Sequence, residues 1–87
     1  MMFSKACEYG IRAAVYVTLQ SLEGRRVGVN EISEEIDSPI AFTAKILQQL
    51  TRNNIIHSVK GPNGGFEIDP EDMNSAKLSM IVKAIDG

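Results

Sequence analysis

The stretch IIHSVKGPNGGFEID, residues 55–69, decides the fold of this 87-residue chain. Two short runs rich in branched and aromatic residues flank a cluster of turn-forming residues, which is the pattern of a β-hairpin. Three glycines in the cluster permit positive φ angles. Pro62 fixes one φ angle, so we expect the tip to be partly rigid. Because a lone hairpin is marginally stable in water, we expect it to pack on neighbouring helices.

Length and composition limit the other possibilities. With 87 residues, 44% apolar and 23% charged, the chain has the composition of one small globular domain, which we place at residues 1–87. No apolar run is long enough to cross a bilayer, and Met1 to Lys5 lack the features of a signal peptide. We therefore expect a cytoplasmic protein without a membrane partner.

Residue types that carry catalysis or bind metals are scarce. One cysteine, Cys7, excludes an internal disulfide, and together with one histidine, His57, it falls short of a structural zinc site. We expect Cys7 in the core and His57 on the surface. No nucleophilic triad, carboxylate pair or phosphate-binding loop stands at a suitable spacing, so the sequence does not indicate an enzyme.

The N-terminal third predicts a helix from Ser4 to Leu22 that ends at Gly24. Val27-Gly28-Val29 is long enough for a short third strand beside the hairpin, and Arg25 and Arg26 are expected to be solvent-exposed charges. Apolar or small residues recur at helical spacing and predict the buried stripe of this helix: Cys7, Ile11, Ala14, Val15, Thr18, Leu19 and Leu22.

Two further helices follow closely. Asn30 is expected to cap a short second helix, and Ser38 to cap a third over residues 39–53, with Pro39 at its first position. Asn53-Asn54 closes this helix. Two helices joined by so tight a turn predict a helix-turn-helix, whose second helix enters the major groove in DNA-binding proteins. After the hairpin, residues 69–72 predict a capped turn or a short acidic helical turn. Residues 78–85 predict a last helix, with Ser79 available as its cap.

The third helix separates into two faces when projected at 100° per residue. The inner face holds Thr43, Ile46, Leu47 and Leu50; the outer face holds Ala41, Lys45, Gln48 and Arg52, with Phe42 and Gln49 at one margin. A cation, an amide and a guanidinium can bond base edges and phosphates. Phe42 suits the core better than a contact with the sugar-phosphate backbone, and both interpretations stay open.

The distribution of charge along the chain says more about a nucleic-acid partner than the net charge does. The net charge of −2 argues weakly against nucleic acid, but between Ser38 and Phe66 the only fixed charges are Lys45, Arg52 and Lys60. The predicted fold is α+β and mainly α: a winged helix-turn-helix with a wing of two or three strands. The third helix would read the major groove, and the wing, residues 58–66, would reach the minor groove.

Several segments support a family resemblance. SVKGPNGGF, residues 58–66, closely resembles the wing signature of the Rrf-type bacterial transcription regulators, the IscR-, NsrR- and CymR-like family. FSKACEYGIRA at 3–13 is similar to the family's first helix, and AKILQQL at 44–50 to its recognition helix. Residues 78–87, ending AIDG, are similar to its next helix. The likeness therefore covers nearly the whole chain.

The resemblance implies a homodimeric regulator, with a repressor favoured, that binds a double-stranded operator of two-fold symmetry. Matching positions place Ala41, Phe42, Lys45 and Gln48 at the major groove, and Lys60 and Pro62 at the minor groove. The residues that we expect to contact DNA are Ser38, Ala41, Phe42, Lys45, Gln48, Gln49, Arg52, Lys60, Gly61, Pro62 and Asn63.

The resemblance does not extend to a cofactor. Family members that hold an iron-sulfur cluster supply cysteines from a loop beyond the position of Gly87, so no cofactor is expected within this chain. Glu8 matches an acidic cluster ligand of some members, but a carboxylate favoured by the helix dipole is the simpler interpretation. The alternative function is a winged helix that binds an acidic protein partner through Lys45, Gln48 and Arg52.

Overall fold

The structure, a computed structural model, describes residues 4–87. Four helices and one hairpin follow in the order α1 (Lys5–Leu22), α2 (Val29–Ile36), α3 (Ile40–Arg52), β1 (His57–Val59), β2 (Gly65–Glu67), a 3₁₀ turn (Pro70–Asp72) and α4 (Ser75–Asp86). This is a mainly helical winged helix-turn-helix, as the sequence predicts. The expectations that concern Met1 to Phe3 lie outside the described residues. No helix within 4–87 is long and apolar enough to cross a membrane.

The core lies where the helices and the base of the wing meet. Branched aliphatic side chains dominate it because they pack well at helix crossings and beneath a strand. Its buried members are Ala13, Ala14, Val17, Val27, Ile32, Ile36, Ile46, Leu47, Leu50, Ile55, Ile56, Ile68 and Ile81.

The buried face of α1 differs from the predicted stripe. Cys7, Ala14 and Thr18 are buried as expected, but Val15, Leu19 and Leu22 are exposed. The buried side instead adds the small residues Gly10, Ala13 and Val17. The reason is close packing on α4, since a Cβ added at Gly10 would collide with the side chain of Ile85. Small residues, and not the largest apolar ones, therefore face the core.

The predicted third strand is reduced to a single β-bridge. Val27 pairs with Phe66, its N–H donating to the Phe66 carbonyl (3.2 Å) and its carbonyl accepting from the Phe66 N–H (2.7 Å). Pairing stops there because α2 begins at Val29, with Gly28 in the N-cap position and no side-chain cap. Asn30 lies inside the first turn, so the prediction that it caps this helix is wrong.

Two other predicted caps are also wrong. Ser38 is buried, with its N–H donating to the carbonyl of Ser33 (3.0 Å) and its carbonyl accepting from the Ser33 hydroxyl (2.5 Å). This tight turn moves the N-cap of α3 to Pro39. At α4, Ser79 lies within the helix, and the side chain of Asn74 caps it by accepting from the Lys77 N–H (3.0 Å).

Other local predictions are confirmed. The Ser4 hydroxyl caps α1 by accepting from the Cys7 N–H (3.0 Å), and Gly24 has a φ of +74° after its end. Asp69 caps the 3₁₀ turn, accepting from the Glu71 N–H (3.1 Å). Thr43, Ile46, Leu47 and Leu50 of α3 are all buried, so the projected faces of that helix are correct.

Candidate nucleic-acid interface

A groove of about 760 Å³ separates the outer face of α3 from the wing. The residues from the helix stand three or four apart in sequence, so they form one stripe along it. The lining consists of Ala41, Ala44, Lys45, Gln48, Thr51 and Arg52 from α3, and of Ser58 and Phe66 from the wing. One wall is therefore helical and the other is the hairpin, where Ser58 stands directly opposite Phe66 in the register.

The end of α3 sets the position of the wing. Asn54 has a φ of +60°, a left-handed conformation that asparagine tolerates and that ends a helix sharply. The chain then folds back, and the N–H of Ile55 donates to the carbonyl of Leu50 (2.9 Å). Ile55 and Ile56 are both buried. The first strand thus starts from a fixed point directly below the helix.

The tip of the wing is exposed and turns on glycine. Gly61 has a φ of +107°, and its carbonyl accepts from the N–H of Gly64 (2.9 Å), which closes the turn. Lys60, Pro62 and Asn63 are exposed around it. These tip residues lie beyond the lining of the groove, so the structure presents the predicted contacts as two groups, one on the α3 stripe and one on the tip.

The cations of this surface have no carboxylate partners within residues 4–87. The ion pairs in that part of the chain involve Lys5 with Glu8 (3.8 Å), Arg25 with Glu31 (3.1 Å) and Arg26 with Glu67 (2.7 Å). Lys45, Arg52 and Lys60 are exposed and take part in none of them. Arg25 and Arg26 are exposed as expected, but each also pairs with a glutamate and so is not a free solvent charge.

Three predicted contact residues are less accessible than expected. Ser38 is 7% exposed, and its hydroxyl finds no hydrogen-bond partner among the described residues. Phe42 is half-buried, with its ring edge-on to Tyr9 at 5.7 Å between centroids, which favours its core interpretation. Gln49 is half-buried and does not line the groove. Ala41, Lys45, Gln48 and Arg52 lie together there as predicted.

Four groove residues were not among the predicted contacts. Ala44 and Thr51 continue the same helical stripe, so the spacing that selected Lys45 and Gln48 was a sufficient signal for them as well. Ser58 and Phe66 could not be assigned from the sequence. Strand alternation separates the two faces of a hairpin, but only tertiary packing decides which of them turns towards the helix.

Together these features define a class: a DNA-binding transcription regulator of the winged helix-turn-helix type. The family model described as Rrf2, iron-dependent transcriptional regulator, matches residues 3–87. The chain belongs to the Rrf2 family of transcriptional regulators, as its wing sequence predicts. The relatives found are regulators of transcription and not enzymes.

Two relatives illustrate the likeness in sequence. A protein of Aquifex aeolicus, whose name assigns it provisionally to the HTH-type transcriptional regulators, is 37% identical over 82% of this chain and 48% of its own length. The HTH-type transcriptional regulator IscR of Pectobacterium atrosepticum is 28% identical over 99% of this chain and 51% of its own. The chain thus spans about half the length of these relatives.

Solved structures show the same fold at lower identity. IscR of T. potens superposes with a TM-score of 0.79 at 19% identity, covering 94% of this chain and 61% of its own. CymR, described as the global cysteine regulator of B. subtilis, superposes with a TM-score of 0.80 at 12% identity. The match covers 97% of this chain and 66% of the CymR chain.

The family description names iron, but the described residues do not fit an iron centre. A cluster requires several thiolate or imidazole ligands close together. Cys7 is fully buried, and burial raises the pKa of its thiol, which disfavours the thiolate that binds metal. No group of three or more His, Cys, Asp or Glu side chains within 4–87 could hold a metal ion.

Proposed function

We propose that residues 1–87 form the DNA-binding domain of a transcription repressor, which acts as a homodimer on a double-stranded operator of two-fold symmetry. In this proposal α3 lies in the major groove and the wing, residues 58–66, reaches the adjacent minor groove. The observation that carries it is the groove between α3 and the wing, whose surroundings hold cations that have no carboxylate partner within residues 4–87.

The shape of duplex DNA explains why such a groove is useful. A helix in the major groove and a wing in the neighbouring minor groove are separated by one sugar-phosphate strand. That strand would pass between the two protein walls. Arg52, with Thr51 and Ser58 beside it, can then bond phosphate oxygens, and such contacts fix the register of the protein on the duplex.

Base contacts fall to the exposed middle of the α3 stripe. Gln48 offers an amide that can pair with an adenine edge, and Lys45 offers a donor suited to guanine. Ala41 provides a methyl group that suits a thymine methyl. At the other site Lys60, with Gly61, Pro62 and Asn63, approaches the minor groove, whose negative potential attracts a cation.

Repression and two-fold symmetry are the parts of the proposal that rest on the family resemblance. A dimer that covers two half-sites about 34–36 Å apart would occupy roughly 20 base pairs of a promoter and exclude other proteins from it. The support for this part of the proposal is the membership of the Rrf2 family.

The salt dependence of DNA binding tests the proposal. A site is first selected from random duplexes, and its affinity is then measured by fluorescence anisotropy on a labelled duplex of about 30 base pairs. The logarithm of affinity should fall linearly with that of salt concentration, because bound phosphates release counterions. Replacing Lys60 by Gln should reduce the slope by about 0.9, the value of one phosphate contact.

Lys83→Gln is the matched control, since it removes an equal charge from an exposed position near the end of α4. It should leave the slope unchanged. Equal slopes for the wild-type chain and Lys60→Gln would contradict the assignment of the wing. Failure to select any duplex, together with salt-insensitive capture of an acidic protein, would favour the alternative of a protein-interaction module.

A further inference from the structure

Arg26 stands where the α1–α2 connection runs beside the wing. The next residue, Val27, is joined to Phe66 of β2 by two backbone hydrogen bonds. Gly65 makes this approach possible, because a Cβ there would lie 2.9 Å from the Val27 carbonyl oxygen. The backbone therefore places Arg26 within reach of the whole second strand.

The Arg26 side chain contacts the wing at both ends of β2. Its Nε donates to a carboxylate oxygen of Glu67 (2.7 Å), the last residue of the strand. Its Nη1 donates to the backbone carbonyl of Asn63 (3.3 Å), which belongs to the tip. A guanidinium is suited to this because its donors diverge in a fixed plane and it stays charged at every relevant pH.

We propose that Arg26 is a positioning residue that holds the wing tip, Lys60 to Asn63, in its DNA-binding orientation without touching DNA. This rests on the proposed function, in which the tip enters the minor groove. A tip rich in glycine loses much conformational freedom when it binds, and order that exists beforehand reduces that loss. The strands of the wing have only three residues each, so they order the tip weakly by themselves.

Exposure separates this role from one in folding stability. The Arg26 and Glu67 side chains are 41% and 38% exposed. Exposed ion pairs contribute little to the free energy of unfolding because water screens them. Loss of Arg26 should therefore change the thermal midpoint little, while it raises the mobility of Asn63 and Gly64.

The test compares two variants, Arg26→Met and Arg25→Met. Arg25 is the matched control because its guanidinium pairs with Glu31 of α2 and not with the wing. DNA affinity is measured by anisotropy on the selected duplex at several salt concentrations. Arg26→Met should weaken binding about fivefold with an unchanged salt slope, because no phosphate contact is lost. In the free protein, ¹⁵N relaxation should show greater motion at the amides of Asn63 and Gly64. Arg25→Met should change neither quantity.

Glu67→Leu distinguishes the positioning role of Arg26 from a role in which Arg26 itself binds phosphate, because the two roles predict opposite changes in DNA affinity. If Arg26 bound phosphate, removing its acidic partner would free the cation and strengthen DNA binding. A positioning role predicts weaker binding instead. Glu71→Gln removes an exposed acid of the neighbouring 3₁₀ turn and is the control for charge alone. Arg26→Lys keeps the positive charge but loses the diverging donors of the guanidinium. Its DNA affinity should lie between those of the wild type and Arg26→Met.

Three results would overturn the inference. A salt slope reduced by about 0.9 in Arg26→Met would make Arg26 itself a phosphate contact. Unchanged affinity and tip motion in Arg26→Met, with Lys60→Gln still weakened, would leave the wing assignment standing and remove the role of Arg26. If neither Arg26→Met nor Lys60→Gln changed DNA binding, the wing assignment would be rejected and this inference with it.

Discussion

Glu31 joins α2 to α1 and to the turn between them. Its carboxylate accepts a hydrogen bond from the Tyr16 hydroxyl of α1 and pairs with Arg25 (3.1 Å). The hydrogen bond from Tyr16, followed by that from Arg25, lowers the pKa of Glu31 below its ordinary value of 4.5. The same hydrogen bond raises the pKa of Tyr16. Glu31 also lies in the first turn of α2, where the helix dipole favours a negative charge.

A pH-dependent part of the stability follows from this shift. Because the folded-state pKa lies below the unfolded one, the stabilisation is complete above about pH 4.5 and is lost as pH falls through the folded value. Glu31→Gln should lower the free energy of unfolding by about 0.5–1 kcal/mol at neutral pH, a range reduced for solvent screening. At about pH 3 the difference should be smaller.

Urea denaturation at the two pH values measures this difference. Glu34→Gln, which changes an exposed glutamate of the same helix, is the control for the loss of one negative charge. A Glu31→Gln effect that is the same at both pH values would contradict the role given to this carboxylate.

Gln48 carries a prediction about specificity. If its amide pairs with a base edge, Gln48→Ala should weaken binding to the selected duplex by about 1–3 kcal/mol and leave binding to a scrambled duplex nearly unchanged. Anisotropy on the two duplexes measures both values. Gln49→Ala is the matched control, because this neighbour does not line the groove. Equal losses on both duplexes would show that Gln48 only contributes to general affinity.

At the scale of elements, one glycine of the wing allows its close approach to the α1–α2 connection. Gly65 has a φ of +137°, and an added Cβ would stand 2.9 Å from the Val27 carbonyl oxygen. Gly65→Ala should therefore destabilise the protein by about 1–3 kcal/mol and weaken DNA binding, because the wing must move away from Val27. Gly61 has a φ of +107° with nothing within 4 Å, so Gly61→Ala should cost less. Thermal denaturation followed by circular dichroism would rank the two, and the reverse order would contradict the close approach.

Several elements with local signals could be predicted from the sequence, although the caps at Asn30, Ser38 and Ser79 could not. The two faces of α3, the hairpin and the caps at Ser4 and Asp69 depend on residues close together in the chain. The burial of α1 could not be predicted in the same way. Large apolar residues such as Leu19 and Leu22 fit a buried stripe by spacing, yet the packing of α4 against Gly10 selects a neighbouring face.

The same limit applies to the interface. The α3 stripe follows from helical spacing, whereas Ser58 and the partners of Arg26 come from segments distant in sequence. The third strand is shorter than predicted for a related reason. The β-propensity of Val27-Gly28-Val29 is a local signal, but Val29 is the first residue of α2. Non-local contacts decide these cases, and one sequence does not display them.

For the whole molecule, the proposal predicts a defined stoichiometry. Although the net charge is −2, the exposed Lys45, Arg52 and Lys60, which have no ion-pair partner within residues 4–87, favour an oriented complex with DNA. Sedimentation of the chain with a selected two-fold duplex should give two chains per duplex, one on each half-site. A duplex carrying a single half-site should bind one chain more weakly. A one-to-one complex on the two-fold duplex would contradict the homodimer.

The anchoring of the wing has a consequence for how the protein matures. The N–H of Ile68 donates to the Ser21 hydroxyl (3.1 Å), 47 residues away, and Val27 holds Phe66 across a similar interval. Contacts that close such long loops form late in folding. Until these contacts close, the wing would lack its fixed position beside Val27, and under the proposed function such a chain would lack its second contact with DNA.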